Sequence, residues 1–368
     1  MGIFKIKRFT KDSSEEKKID DDNEKLSTKD KWIKRGTYAG GVAAGMGAGK
    51  LSGLIGKKQK EELFDDLINR GFFKDYNSSE DKKLIEGLKD KTKDKVHVIE
   101  HPLMGIPYKG KKIYNSYYNL MPWIANQKLA DKKEAEKAIN QIKKEFPNGL
   151  PKEPKPSMIW KNPDEYDKLM KKWRRFNELT GKLGPYIDLG TKRADVLAHE
   201  LGHMEIQQNP FNGDQSKLRA TAEKLSQSYV AGLARGLVAN PLTAAVNSTK
   251  NGWVVDENDD KIKFNKKSLI LPAISAGLVL SQPLYEHGAS RRGLRMLKEL
   301  GASNKYLKEA EEGLIGKKSA LSSYKIAAAQ NMVGNLAGYG SGLAIGKIRA
   351  EKLKDKKDDK GNYIIKRK

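Results

Sequence analysis

Cysteine is absent, so the chain can form no disulfide and no thiolate metal site. Any metal it holds must be bound by histidine and carboxylate. Histidine is itself scarce, at five in 368 residues, and aromatic residues make up only 8%. The first 30 residues are charged and contain no apolar core of signal-peptide length, so no secretory leader is expected. The opening MGIFKI has no Ser or Thr at its sixth position, which departs from the myristoylation pattern. No RNA-binding or helix-turn-helix signature stands out. No apolar run is hydrophobic enough to be assigned by itself as a transmembrane helix.

Positive charge is abundant: the net charge is +24 and the pI about 9.7. Such a balance suits an acidic partner, whether nucleic acid, anionic lipid or an acidic protein. Many lysines lie in mixed runs such as KKQKEEL (57–63) and KDKTKDK (89–95), which read as exposed helix faces.

Glycine recurs every four residues in two places. Residues 36–56 carry Gly41, Gly45, Gly49 and Gly53 with one charge, Lys50. Residues 326–347 carry Gly334, Gly338, Gly342 and Gly346. This spacing puts a groove along one helix face, where another backbone can approach closely, and the two segments could pack on each other. Two further apolar stretches lie between them. Residues 227–247 are interrupted by Arg235 and Pro241, and residues 268–285 are uncharged. Elsewhere KVHVI (95–99) alternates like a strand, residues 130–146 read as an exposed helix, and PNGLPKEPKPS (147–157) is a linker. Asn162-Pro163 starts a helix to about Thr180. GPYIDLG (184–190) is a short strand, and Thr191 is placed to cap the helix after it.

That helix carries His199-Glu200-Leu201-Gly202-His203, the H-E-x-x-H pattern of zinc metallopeptidases. Positions i and i+4 share a helix face, so both imidazoles can reach one metal ion. Glu200 sits beside the first ligand, where it can take a proton from an activated water. Leu201 can pack inward, and Gly202 leaves space beside the metal. The long metzincin pattern fails, because Ile206 and Asn209 stand where it needs Gly and His. A third ligand must come from elsewhere. Glu223, Glu286 and His287 are the candidates. Glu286, at the end of an apolar run beside a histidine, needs a partner more than Glu223 does. His97 and His101 flank Glu100 on a strand and read as structural or surface residues.

The motif is followed by an apolar segment and then Pro283, Glu286, Ala289, Ser290, Arg291, Arg292 and Leu294. This order resembles the YugP-like neutral zinc metallopeptidases of bacterial membranes. The resemblance covers roughly residues 185–345. It implies His199, His203 and Glu286 as Zn2+ ligands, Glu200 as general base, a polypeptide substrate and a membrane location. Gly288 departs from the acidic or amide residue usual in the family. His287, Arg291 and Arg292 are candidates for supporting the site, an arginine by orienting Glu286 or the substrate carbonyl.

The expected fold is α+β and predominantly helical, with a zincin-like motif helix, a small sheet and long apolar glycine-groove helices. Residues 1–31 read as a disordered leader and 32–56 as a glycine-rich apolar helix. Residues 57–157 read as a basic N-terminal region, 158–347 as the metallopeptidase-like domain, and 348–368 as a basic tail. Two other functions fit parts of the pattern. One is a membrane-interacting structural protein, such as a phage virion protein delivered to the host envelope, with a structural or vestigial zinc site. The other, ranked last, is nucleic-acid packaging through the basic surface.

Overall fold

The computed structural model describes residues 26–69, 78–100, 105–108, 111–114, 117–118, 128–147, 154, 158–208, 240–358 and 360–367. They are predominantly helical with a small sheet, as the patterning leads one to expect. The expected leader lies outside the described residues up to residue 25, and its last residues, from Thr28, are already helical.

Two bodies of structure share one long helix. In the first, strands β1 (His97–Glu100), β4 (Tyr117–Tyr118) and β5 (Tyr186–Leu189) form a sheet. Its order is β1-β5-β4, with β1 parallel and β4 antiparallel to β5. A separate hairpin joins β2 (Gly105–Tyr108) and β3 (Lys111–Tyr114). One core packs α2 (Ser79–Thr92) against the sheet and against the motif helix, through Leu84, Leu88, Val96, Ile187, Leu197 and Leu201. A second core gathers Ile142 of α3 (Lys132–Glu145) with Phe176 and Leu179 of α5 (Pro163–Gly181), under Ile99 and Tyr186. The short α4 (Met158–Lys161) precedes α5. Asn162 caps α5 by accepting from the Glu165 amide at 3.2 Å, with Pro163 at the first turn, where its missing N–H costs nothing. His97 accepts a structural role, its Nε2 lying 3.0 Å from the Ala130 carbonyl. His101 lies outside the described residues.

The motif helix, α6, spans Ala194–Gln208. It starts three residues beyond Thr191, so that residue is not its cap. A carboxylate from another helix does the work. Asp81 of α2 accepts from the Ala194 amide at 3.0 Å and from the Tyr306 hydroxyl at 2.6 Å. Asp195 accepts from the Val196 amide at 2.9 Å and pairs with Arg193. These carboxylates satisfy amides that the first turn leaves unpaired and face the positive end of the helix dipole.

In the second body, α1 (Thr28–Asn69) and α10 (Ala320–Leu353) lie antiparallel, with Gly40 facing Ile345 and Gln330 donating to the Ser52 carbonyl at 3.0 Å. The two glycine grooves do not close only on each other. Both receive a third element, α7 (Pro241–Asn251). A Cβ at Gly45 would lie 2.5 Å from Leu242 Cα, and one at Gly346 would lie 2.9 Å from the Ser248 carbonyl oxygen. Gly338 and Gly342 abut Pro241 and Ala245 in the same way. Small residues let three backbones meet at once, which no single bulky contact would allow. The earlier part of the 227–247 run lies outside the described residues.

The apolar run 268–285 does not end before Glu286. It continues as α8 (Ile270–Glu299), whose first half joins α10 and whose second half packs on α6. Helix α9 (Asn304–Leu314) follows, capped by Ser303. The polar insert 251–267 folds as the hairpin of β6 (Trp253–Val255) and β7 (Ile262–Phe264). The C-terminal segment differs from a solvated tail. Ile365 is buried with Val255, Ala350 and Leu353, and the Val255 amide donates to the Lys366 carbonyl at 3.0 Å. The consecutive Ile364 and Ile365 supply an apolar grip that the surrounding lysines obscure in the sequence.

Candidate metal centre

Helices α6 and α8 cross at unusually close range. A Cβ at Gly202 would overlap the Ala289 carbonyl, and one at Gly293 would lie 2.6 Å from the Ala198 carbonyl oxygen. Gly202 therefore makes room for a helix backbone, not for the metal itself. The crossing brings His199 and His203 of α6 against Glu286 of α8.

The three groups form a compact triangle. His199 Nε2 and His203 Nε2 are 3.1 Å apart, and Glu286 Oε2 lies 3.4 Å from the first and 3.3 Å from the second. Tetrahedral zinc with bonds of about 2.0–2.1 Å spaces its ligand atoms about 3.3 Å apart. The observed edges match that spacing, so His199, His203 and Glu286 form a group that could hold a metal ion.

The surrounding hydrogen bonds prepare the donors. The Ser290 hydroxyl has one proton, and it donates to the Glu286 backbone carbonyl at 3.0 Å. It must then accept from His199 Nδ1, 3.0 Å away. That fixes the tautomer with a bare lone pair on Nε2, the form that binds a metal. Gln282 Nε2 donates to Glu286 Oε1 at 2.8 Å and leaves Oε2 for the centre. The Tyr285 ring lies 4.5 Å from that of His203 and restricts its rotation. Burial opposes a charge on His199, yet once Nε2 takes a proton the hydrogen bond to Glu286 and the charges of Glu200, Glu286 and Asp195 favour the charged form, so its pKa is raised. The net field at the site is negative, which favours a bound cation.

Glu200 is buried on α6, next to His199. Tyr324 of α10 is a residue that motif reading does not reach. Desolvation of its phenol, with the charges of Glu286 and Glu200, pushes its pKa far above the ordinary value, so it stays a hydrogen-bond donor. Arg292 is buried and lies 3.9 Å from Glu205, Arg291 is exposed, and His287 is not part of the ligand group. Gln282 and Ser290 hold the ligands, each four residues from Glu286 on one helix face. Glu223 lies outside the described residues.

Strand β5 leads into α6 but is the central strand; among the described residues the sheet's edge strands are β1 and β4. Asp188 on β5 is buried, and desolvation pushes its pKa up to about 7. The unfolded chain loses this proton near pH 4, before the folded chain does. The resulting penalty is absent below pH 4, grows as pH rises to about 7, and is constant above. Its ceiling is about 4 kcal/mol. Asp188→Asn is expected to remove this dependence, so that thermal stability falls less between pH 5 and pH 8 than in the wild type. Parallel melting curves at the two pH values check it.

Compared with known proteins, the chain matches no family model, no curated protein and no solved structure.

Proposed function

We propose that this chain is a zinc-dependent endopeptidase acting at a membrane. The observation that carries the reading is the triangle of His199 Nε2, His203 Nε2 and Glu286 Oε2, with edges of 3.1–3.4 Å and Glu200 beside it. A metal held there would lower the pKa of a water and polarise a carbonyl. Glu200 accepts the proton of the attacking water and passes it to the leaving amine. Ser290 and Gln282 keep His199 and Glu286 in the ligating orientation. Tyr324, still protonated, donates to charge developing on the substrate. The likeness of residues 283–294 to the YugP-like element points the same way.

The membrane half of the reading has separate support. Among the described residues, one helix is long and apolar enough to cross a bilayer, Lys266–Glu299, a property that a soluble core helix can share. Exposed Met46, Leu54, Ile274 and Leu336 on three long helices favour lipid contact. The same surface favours a second reading, a membrane-inserting structural protein in which the metal only clips α6 to α8.

Metal analysis of the purified protein tests the site. One zinc per chain is expected, reduced at least about tenfold in affinity by either His203→Ala or Glu286→Ala. A wild type that takes up no zinc after refilling would refute the proposal. Zinc held normally by Glu286→Ala would remove Glu286 from the ligand set.

A further inference from the structure

The long helices carry their charges at two levels. Because α8 and α10 are antiparallel, with Ser268 against Tyr339 and Ser275 against Asn335, the levels of α1, α7, α8 and α10 can be aligned. The first level holds Lys34 and Arg35, Lys250, Lys266 and Lys267, and Lys347 and Arg349. The second holds Lys57 and Lys58, Arg291 and Lys325. Between them, residues 36–56, 268–290 and 326–346 carry only Lys50 and the buried Glu286 as charged groups, leaving His287 aside. Each interval is about 30 Å long at 1.5 Å per residue, the thickness of a bilayer's hydrocarbon. The metal centre lies near the second level: α8 and α10 run antiparallel from the Ser275–Asn335 contact, and Glu286 and Tyr324 each lie eleven residues beyond it.

A cavity of ≈ 510 Å3 opens at the first level. Five cations line it: Lys31, Lys34, Arg35, Lys250 and Arg349. Lys250 Nζ sits 4.9 Å over the Tyr38 ring, and Arg349 is buried. Asp30, next to Lys31 in the chain, does not line the cavity. It accepts from Ser27 Oγ at 2.7 Å and lies 3.6 Å from Lys356. The charge of Asp358 reaches Lys34, which offsets one of the five; the positive charge that is left around the space is relieved when an anion enters. Trp32, 70% exposed at the same level, suits the boundary between headgroups and hydrocarbon. Basic pockets between helices at this depth are suited to phosphate headgroups.

We propose that this cavity binds the phosphate of an anionic phospholipid, with the uncharged zone beside it lying in the bilayer. The proposal rests on the membrane half of the function proposed above, not on the metal centre. Binding here would set the depth of the helices and hold the metal centre at the opposite surface, about 30 Å away.

Vesicle flotation of the full chain tests it, using phosphatidylcholine with and without phosphatidylglycerol. The cavity variant is Lys34→Gln/Arg35→Gln/Lys250→Gln, built on exposed side chains so that the fold is kept. The charge-matched control is Lys168→Gln/Lys171→Gln/Lys172→Gln on α5. The wild type is expected to prefer the phosphatidylglycerol vesicles. The cavity variant should lose about a hundredfold in that affinity, the control much less, and binding to pure phosphatidylcholine should not change. Zinc content should be equal in all three. An equal loss in the control would overturn the cavity in favour of diffuse charge. Binding to phosphatidylcholine with no preference would overturn the cavity and leave the membrane reading standing. Binding to neither vesicle would overturn both. Inorganic phosphate bound by a wild type that shows no lipid preference would assign the cavity to a free anion and overturn the lipid.

Discussion

Glu200→Gln is expected to cut hydrolysis of an unstructured polypeptide such as casein by about a thousandfold while zinc stays bound. The amide keeps the size of the carboxylate but cannot take a proton at neutral pH, and a positioned general base is worth roughly 10²–10⁴ in rate. Glu200 is not one of the three clustered ligand groups, so the triangle of His199, His203 and Glu286 survives the change. The combination of lost turnover with unchanged zinc separates a general base from a structural carboxylate. Undiminished casein hydrolysis would remove Glu200 from the mechanism. A wild type that holds zinc yet cleaves nothing would favour the metal as a clip.

The parts of the site that were legible in the sequence are those set by local geometry. His199 and His203 share a face because an α-helix has 3.6 residues per turn, and no tertiary information is needed. Glu286 is different. It lies 83 residues beyond His203 (286 minus 203), and spacing alone left it competing with Glu223 and His287. Only the crossing of α6 and α8 brings it within 3.3 Å of His203. The roles of Gln282 and Ser290 depend on which rotamer each adopts, which an i, i+4 pattern permits but does not select. Asp81 caps a helix that begins 113 residues later, a pairing with no local signal.

The fold divides in the same way. The start of α5 was readable from Asn162 and Pro163, because a cap and a first-turn proline act within four residues. Four-residue glycine spacing announced close helix contact in α1 and α10. It did not reveal that α7 enters both grooves, since a groove specifies the distance of its neighbour and not its identity. The C-terminal residues read as a basic tail because lysines dominate the composition. Three apolar positions, two of them packed at the core of the β6–β7 region, outweigh that average.

Gly202→Ala is expected to cost the metal centre as well as stability. The new methyl group would collide with the Ala289 carbonyl, which is backbone and cannot rotate away as a side chain can. Helix α8 must therefore shift against α6. Ala289 is one turn from Glu286, so the shift is carried to the ligand triangle, where bond lengths tolerate only about 0.2 Å. Overpacking of this kind costs about 1–3 kcal/mol, which lowers the melting temperature by several degrees in a chain of this size. Gly47→Ala on α1 is the matched control. Nothing lies within 4 Å of a Cβ there, and alanine should stabilise the isolated position by up to about 1 kcal/mol. Thermal unfolding and zinc content measured on both variants distinguish a contact glycine from a general glycine effect. If Gly202→Ala binds zinc with wild-type affinity and melts normally, the close crossing of α6 and α8 does not hold the metal centre together.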